Sequence, residues 1–232
     1  MIDVRPFRTL GAADHGWLNA RHHFSFANYY DPSRMSWGAI RVWNDDEIAA
    51  KSGFPPHPHD NMEIITYVRK GAITHQDSMG NQGRTEAGDV QVMSAGTGVR
   101  HAEYNQEDEQ TTLFQIWVMT DKRNAEPSWG AKKFPKGARA GSFITLASGF
   151  EGDADALKIN AAARVLGATL SQGEAAELQL EPSRHVYLVA VGGAIEVNGK
   201  RAEPRDGVAI TGEQRVTIKA IADAEIVLVD AR

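Results

Sequence analysis

The chain consists of short runs of β-branched and aromatic residues separated by glycine turns, and this pattern limits the possible folds more than any other feature. Runs such as Glu63–Val68, Leu113–Met119 and His185–Val191 have the length and composition of strands. A turn signal such as Asn198-Gly199 accepts positive φ at both turn positions and predicts a tight hairpin. Even the Ala-rich segment 151–170 shows no apolar stripe of helical period, so we interpret it as loop and strand. The sequence therefore predicts an all-β protein.

A polar stretch divides the chain into two similar halves. Residues 121–142 contain three glycines and two prolines and have the composition of a connector. The strand–glycine–strand pattern of Thr66–Ile73 recurs at Leu188–Ile195, which suggests a divergent duplication. We expect three parts, an N-terminal unit, a connector and a C-terminal unit, at 1–125, 126–142 and 143–232.

Composition excludes several classes of function. The chain has 232 residues, a formal charge of −5 and no basic block longer than two residues, so it lacks the electrostatic footprint of a nucleic-acid-binding protein. It contains no cysteine, so a metal site must use His, Asp or Glu. The longest nearly apolar run, Val186–Ile195, is about half of the ~20 residues that a membrane-spanning helix needs. The N-terminus has no signal-peptide pattern, and we expect a cytoplasmic protein that does not bind membranes.

Two short motifs place metal-ligand side chains on one side of an extended chain. His57 and His59 flank Pro58, which holds the backbone extended, and His101 and Glu103 form a second alternating pair. Neutral imidazoles and a carboxylate are ligands for a borderline divalent metal. Four protein ligands leave two octahedral positions open for a substrate or O₂. Because three of the eight histidines fall in these two pairs, we favour a metal site over solvated or structural histidines.

These motifs resemble the two cupin motifs and, more closely, those of the pirin family. The pirin-like segments cover most of residues 15–120 and are His22–Pro32, His57–Glu63, His75–Asn81 and Met93–Glu103. The resemblance implies a bicupin, two packed β-sandwich barrels of the jelly-roll type. It also implies one divalent metal in the N-terminal barrel, with Fe(II) favoured and Mn, Ni, Co, Cu or Zn as alternatives. The ligands in the family pattern correspond to His57, His59, His101 and Glu103.

The resemblance also implies a function and leaves alternatives open. Bacterial pirins similar to this chain are described as quercetin 2,3-dioxygenases. The implied activity is therefore metal-dependent cleavage of the 2,3 bond of a flavonol such as quercetin, a small aromatic substrate, by O₂. Glu103 would be the catalytic base that takes the flavonol proton. The animal relative is a transcription co-regulator, so a non-catalytic, iron-binding regulator with a protein partner is the alternative. A cupin with another activity, such as an isomerase, is a third.

Several neighbouring residues allow two interpretations. Glu63 lies where many cupins place a metal ligand, and it either orients a ligating histidine or serves as a structural carboxylate. We expect His22 and His23 to be packed or on the surface, and His75 to have a structural role. Four aromatic residues either line a flavonoid-sized pocket or belong to the core: Tyr29, Tyr30, Trp37 and Trp43.

The C-terminal half lacks the motif residues. Alignment on its glycine turn places Gln179, Glu181 and His185 opposite His57, His59 and Glu63, and no histidine occupies the place of His101. A single histidine beside one carboxylate is a poor metal site, so we expect a degenerate cupin without metal in this half.

Overall fold

The computed structural model describes all 232 residues and contains strands, turns and three short 3-10 helices. The first twelve strands are β1 (Ile2–Arg5), β2 (Gly11–Asp14), β3 (Leu18–His22), β4 (Ile40–Ile48), β5 (Ser52–His59), β6 (Met62–Lys70), β7 (Ala72–Asp77), β8 (Gln82–Glu86), β9 (Val90–Ser94), β10 (Val99–Asn105), β11 (Thr111–Met119) and β12 (Ser128–Lys132). The 3-10 helices are Phe7–Thr9, Pro32–Arg34 and Lys136–Arg139. None of the helices is long and apolar enough to cross a membrane.

The second half of the chain contributes ten further strands. They are β13 (Ile144–Ser148), β14 (Leu157–Lys158), β15 (Ala163–Leu170), β16 (Ala175–Gln179), β17 (His185–Gly192), β18 (Ile195–Val197), β19 (Lys200–Ala202), β20 (Gly207–Thr211), β21 (Arg215–Ala220) and β22 (Ala224–Ala231). The Ala-rich segment 151–170 is loop and strand, as its sequence predicts. Asn198 and Gly199 both have positive φ in the hairpin between β18 and β19, which confirms the predicted turn.

The two halves are sandwiches with the same topology except at one edge, where β14 runs parallel to β13 but β2 runs antiparallel to β3. In the N-terminal half, a seven-stranded sheet of order β12-β9-β6-β11-β4-β3-β2 packs on a four-stranded sheet of order β5-β10-β7-β8. The C-terminal half repeats this plan with β1-β20-β17-β22-β15-β13-β14 and β16-β21-β18-β19. Equivalent turns even share their backbone conformation, since Gly71 and Gly193 both have a φ of 75°. The prediction of an all-β bicupin is confirmed.

Each barrel takes one edge strand from outside the residue range expected for it. β1 lies within 1–125 but pairs with β20 of the C-terminal barrel, with Ile2 opposite Ile210. β12 lies in the expected connector 126–142 but pairs with β9 of the N-terminal barrel, with Ser128 opposite Ser94. The polar composition of these segments fits an edge position, where one side of the strand has no ladder partner. Local composition carries no information about which sheet such a strand joins.

The seven-stranded sheets of the two barrels face each other across an apolar layer of 23 buried residues. Alternation along a strand assigns each side chain to this layer or to a barrel interior. On β6, Ile65 and Tyr67 face the other barrel, whereas Ile64 and Val68 point into their own barrel.

The interiors of the two barrels differ in polarity. The C-terminal barrel is filled by a single cluster of 18 buried apolar residues, including Val216 and Ile218 of β21. The N-terminal barrel has only two smaller apolar clusters, of six and four residues. Its remaining buried interior is polar, and it contains His75, His101 and Glu103. Buried polar groups are costly unless they are paired, so this interior is where a functional site is expected.

Candidate metal centre

Pairing of β5 with β10 brings the two sequence motifs together. The strands are antiparallel, with His101 opposite His57 and Val99 opposite His59, and the register shifts by a β-bulge between His101 and Glu103. The ligand nitrogens of His57, His59 and His101 lie within 4.8 Å of one another. The Nε2 atoms of His57 and His101 are 3.1 Å apart. The structure therefore assembles three of the four predicted ligands into one cluster.

Hydrogen bonds at the outer ring nitrogens orient two of these imidazoles. The Pro55 carbonyl lies 2.8 Å from Nδ1 of His57 and only accepts, so Nδ1 carries the proton and Nε2 keeps its lone pair. Asp77 lies 3.0 Å from Nε2 of His75, which leaves Nδ1 of His75 to accept from Nδ1 of His101 at 3.4 Å. This series of hydrogen bonds directs the Nε2 lone pair of His101 toward His57 and His59. His75 has the structural role expected for it, and it supports His101.

The cluster favours neutral histidines. Burial, followed by the nearby charge of His57, lowers the pKa of His59 to about 4. Burial, followed by the charges of His57 and His59, lowers the pKa of His101 to about 2. Neutral imidazole is the form that ligates a metal, so both side chains are ready to bind at neutral pH.

Glu103 lies in the same interior but outside this three-histidine group. Its carboxylate is buried and accepts hydrogen bonds from Thr66 Oγ1 at 3.0 Å, Gln91 Nε2 at 2.7 Å and Gln115 Nε2 at 2.7 Å. These donors use three of about four lone-pair positions, so one acceptor site stays free. Burial raises the pKa of Glu103, while the positive charge that His75 carries when protonated and the hydrogen bond from Thr66 oppose the rise.

A row of polar side chains lies on the inner face of the seven-stranded sheet, opposite Glu103. Strand register aligns His22 of β3, Asn44 of β4, Gln115 of β11, Thr66 of β6 and Gln91 of β9. Direct hydrogen bonds include His22 Nδ1 to Asn44 Oδ1 at 2.8 Å and Gln91 Nε2 to Thr66 Oγ1 at 3.4 Å. Sequence analysis missed this row because its members are far apart along the chain. A usable signal is a polar residue at an inward position of an otherwise apolar strand, as at Gln115 and Thr66.

Aromatic side chains flank the half-exposed side of the cluster. The ring of Trp117 meets that of His59 edge-on, with centroids 4.9 Å apart, and Phe26 meets Trp117 at 5.4 Å. Trp117 Nε1 donates to Gln115 Oε1 at 3.1 Å, so the polar row also fixes the indole. Neither Trp117 nor Phe26 was among the four predicted pocket residues.

The four predicted pocket aromatics have other positions. Trp43 is fully buried in the layer between the barrels, and Trp37 packs against that layer. Tyr30 is 72% exposed. Tyr29 is half-buried and stacks on His22 with centroids 6.3 Å apart. The two tryptophans are therefore core residues, and only Tyr29 is near the polar row.

Glu63 faces away from the cluster. It shares its side of β6 with Ile65 and Tyr67, which belong to the layer between the barrels, and its carboxylate pairs with the Ser94 hydroxyl. This favours the structural interpretation of Glu63. His185 faces the same layer, where its ring meets Trp37 edge-on at 5.3 Å.

His22 and His23 are both buried, in agreement with a packed role, but on opposite sides of the sheet. His22 points into the barrel toward Asn44, whereas His23 points to the other barrel and lies 2.8 Å from the Tyr187 hydroxyl.

Comparisons with known proteins cover both barrels. A family model described as Pirin matches residues 3–118, and one described as the quercetinase C-terminal cupin domain matches residues 145–231. A pirin-like protein from Caulobacter vibrioides is 64% identical over the full length of both chains. A protein of Escherichia coli K12 named quercetin 2,3-dioxygenase is 42% identical, over 99% of this chain and 98% of its own.

A solved structure has the same fold. The bacterial pirin YhhW from Escherichia coli in complex with nickel(II) superposes with a TM-score of 0.93 at 40% identity, covering 100% of this chain and 99% of that one. Together, the paired sandwiches and the histidine cluster in one of them define a bicupin with a candidate metal centre in its N-terminal barrel. The chain belongs to the pirin family.

Proposed function

We propose that the N-terminal barrel binds one divalent metal ion through His57, His59 and His101, with Glu103 as the fourth ligand. The observation that carries the proposal is the 3.1 Å separation of two Nε2 atoms whose outer nitrogens are hydrogen-bonded. Two lone pairs at that distance repel unless a cation or a proton lies between them. Ligand atoms bonded to one metal at ~2.1 Å and at right angles are ~3.0 Å apart, so the spacing fits a shared ion.

Glu103 completes the donor set on chemical grounds. It follows His101 by two residues on β10 and has one acceptor position that no protein donor uses. Three neutral imidazoles and one carboxylate suit a borderline divalent ion, and we favour Fe(II). The E. coli pirin YhhW has been solved in complex with nickel(II), which supports a first-row divalent metal here.

We further propose that the metal-loaded protein is a dioxygenase that cleaves the 2,3 bond of a flavonol such as quercetin. When bound, the metal supplies a Lewis acid that lowers the pKa of the flavonol hydroxyl and a template for the substrate and O₂. Glu103 takes the hydroxyl proton, for which its burial-raised pKa suits it. Trp117 and Phe26 offer flat apolar surfaces to an aromatic ring beside the histidines. The name of the 42% identical E. coli relative supports this substrate class.

Oxygen uptake with quercetin by metal-loaded protein tests the proposal, with metal content measured on the same sample. We expect turnover that Glu103→Gln lowers by ~10²–10⁴-fold while bound metal is retained. Glu63→Gln is the matched control, because Glu63 is an equally buried carboxylate that faces the second barrel rather than the barrel interior. Equal activity in Glu103→Gln and wild type contradicts the base role. Metal-loaded wild type without oxygen uptake contradicts the dioxygenase, and the search then turns to protein partners of a regulator.

A further inference from the structure

A second polar cluster lies between the barrels, away from the histidine site. It consists of Arg5 on β1, His23 after β3, Arg34 at the end of a 3-10 helix, and Tyr187 on β17. Arg5 is 6% exposed and His23 is fully buried, while the Arg34 side chain is 18% exposed. These residues come from both barrels and from the strand that crosses between them.

Three N–H donors in this cluster have no hydrogen-bond partner in the protein. They are Nη1 of Arg5, Nη1 of Arg34 and Nε2 of His23, and all three atoms are buried. The Tyr187 hydroxyl donates a hydrogen bond to Nδ1 of His23 at 2.8 Å, so Nδ1 is the acceptor and Nε2 carries the ring hydrogen. His23 is therefore a donor on its free side.

The cluster has more buried positive charge than buried negative charge. Arg5 pairs through Nε with Asp3 at 3.1 Å, and Arg34 lies 3.7 Å from Asp31, but each carboxylate is more exposed than its arginine, at 53% against 7% and 31% against 18%. Arg5 and His23 lie against the same Tyr187 ring, with the guanidinium carbon 5.5 Å and the imidazole centroid 5.6 Å from its centroid. The Arg34 carbonyl accepts from the backbone N–H of Ser25, two residues after His23, at 2.8 Å. Any ligand here meets two cations and a ring N–H.

Aromatic rings surround the Arg5 guanidinium and leave its Nη1 without an acceptor. The guanidinium carbon lies 5.5–5.6 Å from the ring centroids of Phe24, Trp37 and Tyr187. These contacts stabilise the charge through the ring faces. They provide no acceptor for Nη1, and a buried charged donor without an acceptor is costly.

We propose that this interface binds a small monovalent anion of chloride size through Arg5, Arg34 and His23. An anion accepts from all three donors and offsets the positive charge, whereas a metal ion is repelled by it. The site is formed only when the barrels are docked, because its donors come from β1 in the C-terminal sheet and from the connection between β3 and β4 of the N-terminal barrel. Anion binding therefore stabilises the docked arrangement.

Crystals grown in sodium bromide test the site directly by anomalous diffraction. We expect a bromide peak within hydrogen-bond distance of Arg5 Nη1 and His23 Nε2. Ordered water at that position, with no anomalous peak, overturns the proposal.

A thermal titration tests whether binding occurs at solution concentrations. At constant ionic strength, replacing gluconate by bromide should raise the Tm saturably, by about 2–4 °C. Arg34→Gln should abolish this rise. Arg41→Gln is the matched control and should retain it, because Nη1 of Arg41 already donates to the Ser25 carbonyl at 2.7 Å. A peak at molar bromide without a saturable Tm shift means an adventitious ion only, and it overturns the proposal.

Discussion

Gln115 donates a hydrogen bond from Nε2 to Oε2 of Glu103, at 2.7 Å, from the opposite sheet of the N-terminal barrel. The same amide accepts from Trp117 Nε1 at 3.1 Å through Oε1, and both bonds require the same orientation of the amide. Gln115 thus links the proposed catalytic carboxylate to the aromatic side of the histidine cluster.

Replacing Gln115 should change the acidity of Glu103 as well as stability. Gln115→Leu removes one donor to the carboxylate, so the pKa of Glu103 should rise further, because hydrogen bonds favour the charged form. The acid limb of the pH–activity profile should move to higher pH, since the base must be ionised. We also expect a loss of about 1–3 kcal/mol in the free energy of unfolding. Trp117→Phe is the control that keeps the bond to Glu103, and it should leave the acid limb in place.

Removal of one clustered histidine should empty the metal site. Wild-type protein should carry close to one divalent ion per chain, and His101→Ala should lose it, because a central ligand is absent. Metal analysis after purification measures this, together with the loss of metal-dependent thermal stabilisation. His185→Ala is the control in the other barrel and should leave the metal content unchanged. Equal metal in wild type and His101→Ala means that the ligands are misassigned.

The metal-free protein should lose stability in acid through His59. Its pKa is about 4 in the folded state and about 6.5 in the unfolded state, so between these values the unfolded chain binds a proton that the folded chain does not. This contribution is complete above pH 6.5 and is lost as the pH falls toward 4. His59→Asn should flatten the slope of unfolding free energy against pH by at most about 1.4 kcal/mol per pH unit. Urea denaturation from pH 4.5 to 7 measures both slopes, and identical slopes contradict the prediction.

Arg205 should contribute to docking of the barrels. It donates to the fully buried Asp45 at 2.7 and 3.0 Å and to Glu47 at 2.9 Å, across the interface. Arg205→Ala should lower the free energy of unfolding by about 2 kcal/mol, because Asp45 keeps only Arg69 as an ionic partner. Arg201→Ala, which removes an exposed pair with Glu203, should change it by less than about 0.5 kcal/mol. Comparable losses in the two variants contradict a docking role.

The strands and the ligand motifs could be predicted from the sequence, because both depend on local chemistry. The alternation of His57 with His59 specifies one face of a strand whatever the tertiary fold. The orientation of Glu63 could not be predicted, because it depends on which face of β6 packs against the second barrel, and that is not a local property. The contact between Gln115 and Glu103 depends on sheet stacking, which no local pattern encodes.

The pairing of β1 with β20 also affects how the chain reaches its fold during synthesis. β1 is synthesised long before its partner β20, with Asp3 opposite Ala209. β1 must therefore stay unpaired while the N-terminal barrel forms, and it joins its ladder only after β20 has been made. Completion of the C-terminal barrel closes a loop that contains the whole metal-binding half, so the C-terminal barrel cannot be excised intact by a single cut.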